Sequence, residues 1–99
     1  MTAEQSRNLS NLSLKEHSES LISKIYRGIE TECKLGFFRF SFNIPTGTTS
    51  EVERIVIDKL KASGYDVTHS KGYDQRDGES WNALIISWDK PKSIVLQIN

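Results

Sequence analysis

Residues Asp77–Asp89 read DGESWNALIISWD, and the reading of this stretch decides the fold. Side chains on an extended strand alternate between faces, so Leu84, Ile86 and Trp88 fall on one side and Trp81, Ala83 and Ile85 on the other. A strand that is apolar on both faces is usually central in its sheet and covered twice. Asp77-Gly78 ahead of it and Asp89-Lys90-Pro91-Lys92 behind it are turn signals, so the stretch is a bounded strand. Working outward, SIVLQI (residues 93–98) alternates Ile94, Leu96 and Ile98 against Val95 and Gln97, and reads as the next strand. YDVTHS (residues 65–70) reads as a short preceding strand, with Tyr65, Val67 and His69 on one side. The polar stretch KGYDQRDGES (residues 71–80) is then the loop between them. Earlier still, GFFRFSFNIP (residues 36–45) alternates Phe38, Phe40, Phe42 and Ile44 with Phe37, Arg39, Ser41 and Asn43. This is a half-buried strand with an aromatic inner face, ended by Pro45.

Two helices separate these strands. Leu14, Ser18, Leu21, Ile22, Ile25, Tyr26, Ile29 and Cys33 recur at spacings of three and four, which is one face of an amphipathic helix. Ser13 and Glu16 make a capping box at its start, and Gly36 is its stop. Gly28 sits inside it at a cost of about 1 kcal/mol relative to alanine, which points to another element approaching closely. The second helix lies in TGTTSEVERIVIDKLKASG (residues 46–64). Ser50 and Glu53 repeat the capping-box pattern, Val52, Ile55, Val56 and Leu60 form the buried stripe, and Gly64 ends it. Residues Met1–Leu12 are polar apart from isolated leucines, cannot offset their own ordering entropy by burial, and read as a flexible arm.

The expected architecture is therefore α+β, a single domain over residues 13–99 in the order α-β-α-β-β-β, with two helices and a four-stranded mixed sheet. The first strand, second helix and second strand form a right-handed crossover. Two helices suffice for one sheet face. The other is covered either by the first helix crossing over or by another chain seated on Trp81 and Ile85.

Composition excludes more than it assigns. Thirteen basic and thirteen acidic side chains cancel over 99 residues, so no net field draws the chain to nucleic acid or an anionic membrane. The single cysteine, Cys33, has neither a disulfide partner nor a metal-ligand companion at zinc spacing. It falls on the apolar stripe, where cysteine is usually a small buried hydrophobe. No apolar run approaches the roughly 18 residues of a membrane span, and no early segment has the length of a signal-peptide core. The chain reads as intracellular.

Catalytic chemistry finds little to use. Aligning Gly78 with the glycine of a calcium loop puts Tyr73 and Leu84 where oxygen ligands are required, so Asp74, Asp77 and Glu79 belong to a turn. His17 lies off the centre of the apolar stripe and His69 on the inner side of a short strand, so both read as packed or surface residues and not as bases. Stacking of bases on Phe37, Arg39 and Trp81 would want a basic chain and an RNA-binding signature, and neither is present. Nucleic acid is not an expected partner. No enzyme, cofactor or metal site is expected. The turn IPTGTTSE (residues 44–51) enters a helix N-terminus, where Thr48, Thr49 and Ser50 are the candidate anion contacts. The better contact surface comprises Tyr73, Arg76, Trp81 and Ile85, with Leu9 and Leu12 on the arm. Tyrosine, arginine and tryptophan are the types that carry interface energy.

Three landmarks carry a resemblance. A helix ends near Gly36, a second ends in L-x-x-x-G-Y at Leu60–Tyr65, and a strand ends in Ile86-Ser87-Trp88. Over Ile29–Trp88 this pattern resembles small uncharacterised proteins of tailed bacteriophages and prophages. The resemblance implies a phage-encoded accessory or virion protein, found in the host cytoplasm or the particle. Its partners would be itself or a larger phage protein. The competing expectation is a soluble module that occupies a host protein or sequesters a small signalling ligand.

Overall fold

The computed structural model describes residues 1–89, which form α1 (Ala3–Lys34), β1 (Arg39–Asn43), α2 (Ser50–Ala62), β2 (Asp66–Asp74) and β3 (Glu79–Ser87). Both helices stop as their glycines dictate. After α1, Gly36 takes φ 86°, its N–H donates to the Cys33 carbonyl, and the Phe37 N–H donates to the Glu32 carbonyl at 2.9 Å. After α2, Gly64 takes φ 98° and the Gly64 and Tyr65 N–H groups donate to the Lys61 and Leu60 carbonyls. This paired pattern closes a helix through one left-handed residue and redirects the chain toward the next strand.

The start of α1 differs from the expectation. Its cap is Thr2, whose hydroxyl accepts from the Gln5 N–H at 3.1 Å while the Gln5 side chain accepts from the Thr2 N–H at 2.9 Å. The expected flexible arm is instead an exposed helical extension, and Ser13 and Glu16 lie inside the helix. Once the buried stripe nucleates α1, each upstream residue adds one hydrogen bond for one residue ordered, and the helix extends until a cap closes it. At the other end Cys33 is exposed, because the last turn of α1 runs past the core. Its expected burial does not hold. The cap of α2 is Thr49, accepting from the Val52 N–H, which releases Glu53 from the capping role read for it.

Among the described residues the sheet has three strands in the order β1-β3-β2, and both pairings are antiparallel. These three strands are antiparallel where a mixed sheet was expected, and the expected fourth strand, residues 93–98, lies outside the described residues. β3 is central, with β1 and β2 on either side. β1 and β2 run parallel to each other with β3 inserted between them, so β1-α2-β2 is a split crossover. β2 continues to Asp74, past the expected end at Ser70, and leaves a loop of only Gln75–Gly78. The Asp74 side chain accepts from the Arg76 N–H, the Gly78 N–H donates to the Asp74 carbonyl, and Gly78 takes φ 70°.

The register fixes the faces. Phe40 lies opposite Ile86, Phe42 opposite Leu84, and Val67 opposite Ile86, and this inner side receives both helices. Leu21, Ile22, Ile25 and Ile29 of α1 and Val52, Val56 and Leu60 of α2 bury against Leu84, Ile86 and Ile44. At Gly28 a Cβ would sit 2.1 Å from the Phe40 ring, so the glycine is the gap that admits the strand's aromatic side chain. α1 therefore does not cross to the other face. Phe38, expected on the inner face, is 59% exposed, because the chain is still leaving α1 there and regular β1 begins at Arg39.

Candidate functional site

Both helices pack on one side, so among the described residues no helix covers the outer sheet face. The register places there Arg39, Ser41 and Asn43 of β1, Thr68, Ser70 and Gly72 of β2, and Trp81, Ala83 and Ile85 of β3. Trp81 is 50% exposed, and its position is held from two sides. The indole lies across Gly72, where a Cβ would come within 2.3 Å of the ring, and its Nε1–H donates to the Ser70 hydroxyl at 3.2 Å. A side chain fixed in this way has little rotamer entropy left to lose in a contact. Ile85 is half-buried and floors a shallow depression with Phe38, Arg39, Thr68, Ser87 and Asp89.

The other sequence-derived candidates lie elsewhere. Tyr73 pairs with Ser80 on the inner side of the hairpin and is 61% exposed beyond the reach of the helices, while Arg76 occupies the loop. Tyr73 and Trp81 therefore face opposite ways and do not build one surface with Arg76. Leu9 borders a groove between α1 and the start of α2 with Leu14, His17, Thr49 and Val52, whereas Leu12 is exposed outside it. In the turn before α2 the Thr48 hydroxyl donates to the Pro45 carbonyl at 2.8 Å and Thr49 caps the helix. Ser50 is the first residue of α2. The two threonine hydroxyls are engaged by the turn itself.

Two features were not singled out from the sequence. The first is a polar chain under α2. Glu53 is only 5% exposed, accepts from Asn82 Nδ2 at 2.6 Å and lies 3.7 Å from Lys71 Nζ. Asn82 Oδ1 in turn accepts from His69 Nε2 at 2.6 Å. A buried carboxylate is costly unless paired and hydrogen-bonded, and these partners come from β2 and β3. The chain thus locks α2 onto both strands. A Glu immediately beside the buried stripe residue Val52 was the available signal, and the capping reading masked it. Among the described residues no cluster of three His, Cys, Asp or Glu could hold a metal.

The second feature is an apolar patch at the α1–β1 junction, where Leu35, Phe37 and Phe38 are all more than half exposed. It adjoins β1 directly, since Phe37 and Phe38 line one depression with Glu32, Arg39, Phe40 and Ser41. Nearby, Tyr65 packs edge-on against Trp88 at 6.1 Å and tilted against Tyr26 at 6.4 Å. Burial raises the pKa of the Tyr65 hydroxyl, with smaller contributions in the same direction from Tyr26 and Cys33. Leu35, Phe37 and Phe38 thus offer aromatic and apolar contact area beside the edge of the sheet. No helix among the described residues is long and apolar enough to cross a membrane.

Residues 1–88 match the family model described as Phage T4 Y10B protein. No curated protein and no solved structure matches the chain.

Proposed function

We propose, given that the chain belongs to the Phage T4 Y10B protein family, that it is a small non-enzymatic structural or assembly protein of a phage particle, acting through protein–protein contacts. The observation that supports this reading is the outer side of the sheet, which no helix among the described residues covers. Trp81 is pinned on the outer face, and Phe37 and Phe38 stand exposed at the adjoining edge. Exposed aromatic surface next to polar strand residues is the composition of an interface core with its rim. The exposed N-terminal turns of α1, with Leu9 and Leu12, add a second contact surface.

Quantitative mass spectrometry of purified particles tests this reading. Recovery at a fixed stoichiometry to the major particle proteins is the expected result. Absence from particles throughout assembly, with the protein free in infected cells, would overturn it and direct the search to a host protein as the occupant of the same surface.

A further inference from the structure

We infer that the outer edge of β1 is a self-association site at which two copies of this chain pair antiparallel about Ser41, joining their sheets into one; this rests on the reading of the protein as one that works through protein contacts. The backbone directions are fixed at both ends of β1. The Trp88 N–H donates to the Phe38 carbonyl, and the Ile44 N–H donates to the Asn82 carbonyl. Backbone groups on a strand alternate sides with period two, so Phe38, Phe40, Phe42 and Ile44 address β3, while Arg39, Ser41 and Asn43 address the edge. Among the described residues β1 pairs only with β3.

Natural edge strands are usually blunted by Lys, Pro, a bulge or great shortness. β2 carries Lys71 and is flanked by Asp66 and Asp74. β1, RFSFN, contains no Lys and no Pro, and its register with β3 runs one to one from Arg39 to Asn43 without a bulge.

A second copy fits this edge by charge and by polarity. With Ser41 on the twofold axis, Arg39 of each copy lies opposite the neutral Asn43 of the other, so the strand's one cation meets an amide and not its own kind. The same register brings Phe38 opposite Ile44 and Phe37 opposite Pro45, apolar against apolar. Ser41 pairs with Ser41 and Arg39 with Asn43, each pair exchanging both of its N–H···O bonds. The chain's zero net charge opposes neither copy's approach. Two phenylalanines more than half exposed offer on the order of 200 Å² per copy. Over two copies that is on the order of 400 Å² before the strand-edge backbone is added, short of the roughly 1,000 Å² of stable specific interfaces. The association is accordingly concentration-dependent.

The test is sedimentation velocity on the full chain over a dilution series, with residue-resolved amide exchange and two edge variants. The expected result is a mass rising toward twice the monomer, with protection of the Ser41 amide growing at least tenfold over the same range. Ser41→Pro removes only an edge donor, and Ser41→Lys sets two ammonium groups face to face. Both should stay monomeric, and the lysine variant keeps the test valid if proline disturbs folding. A full chain that is monomeric up to its solubility limit, a dimer that survives in a folded Ser41→Lys variant, or a dimer without Ser41 protection overturns the inference. A protein found in particles but monomeric in solution would sink this edge while leaving the assembly reading intact. A dimer through Ser41 that is absent from particles would do the reverse.

Discussion

At the scale of single residues, the informative positions are those where chemistry and packing disagree. Gly28 costs α1 about 1 kcal/mol in propensity, yet the Phe40 ring occupies the space where a Cβ would go. Gly28→Ala should therefore destabilise the fold by about 1–3 kcal/mol through overpacking, read as a lower urea midpoint, where an exposed helical glycine would give a gain. Glu53 is the converse case, a charge accepted into the core because Asn82 and Lys71 meet it. Glu53→Ala should cost about 1–3 kcal/mol by leaving the part-buried Asn82 amide without its acceptor and removing the Lys71 ion pair, and a loss below about 0.5 kcal/mol in equilibrium unfolding would show that the chain is not part of what holds α2. Tyr65 has a raised pKa in the folded state. Below the unfolded value of 10.0 both states keep the proton and its contribution to stability is fully present; as pH rises from there through the folded pKa, the unfolded state ionises first and stability falls. Tyr65→Phe should abolish that share of the alkaline loss, measured as the difference in unfolding midpoint between about pH 8 and pH 11 for the two proteins.

At the scale of elements, α1 divides into a buried segment from Ser18 to Ile29 and an exposed N-terminal extension. Deleting Met1–Leu12 should lower the far-UV helical signal while leaving the melting temperature within a few degrees, since the deleted residues are exposed and only Leu9 and Ser10 border the groove to α2. Ser13 and Glu16, idle inside the full helix, then stand ready to cap the shortened one. β3 behaves oppositely. Ile86 is fully buried between α1, α2 and the neighbouring strands, so Ile86→Ala should cost about 2–5 kcal/mol in urea unfolding. The same truncation at Ile85, on the open face, should cost under about 1.5 kcal/mol. A ratio near one would mean that both faces of β3 are covered.

At the scale of the whole molecule, the layers explain what could be read in advance. The stripes of α1 and α2, the glycine stops, the alternation of Phe40, Phe42 and Ile44, and the central place of β3 were legible because each is a local periodicity or a backbone preference. Gly28 was legible as a point of close approach, though Phe40 as the approaching group was not. Less was legible of the candidate site. Trp81 and Ile85 were found from the apolar outer side of β3, but Tyr73 and Arg76 were grouped with them by nearness in sequence. A one-residue step along a strand reverses the face, and a hairpin loop separates the two. Phe37 was read on the outer face with Arg39 and Trp81, whereas Leu35 and Phe38 were missed beside it, because exposure at a helix–strand junction depends on where the covering layer ends.

By itself, the sequence determined the α+β class, the glycine stops of both helices, the inner sheet face and the absence of net charge, all set by chemistry within a few residues of each position. Only the tertiary structure decided that both helices share one face, that β3 separates β1 from β2, that Glu53 is drawn inward by Asn82 and Lys71, and that β1 is outermost among the described strands. The physical reason is that these outcomes rest on pairings between segments far apart in the chain, whose choice depends on the summed burial of all layers and leaves no local periodic trace.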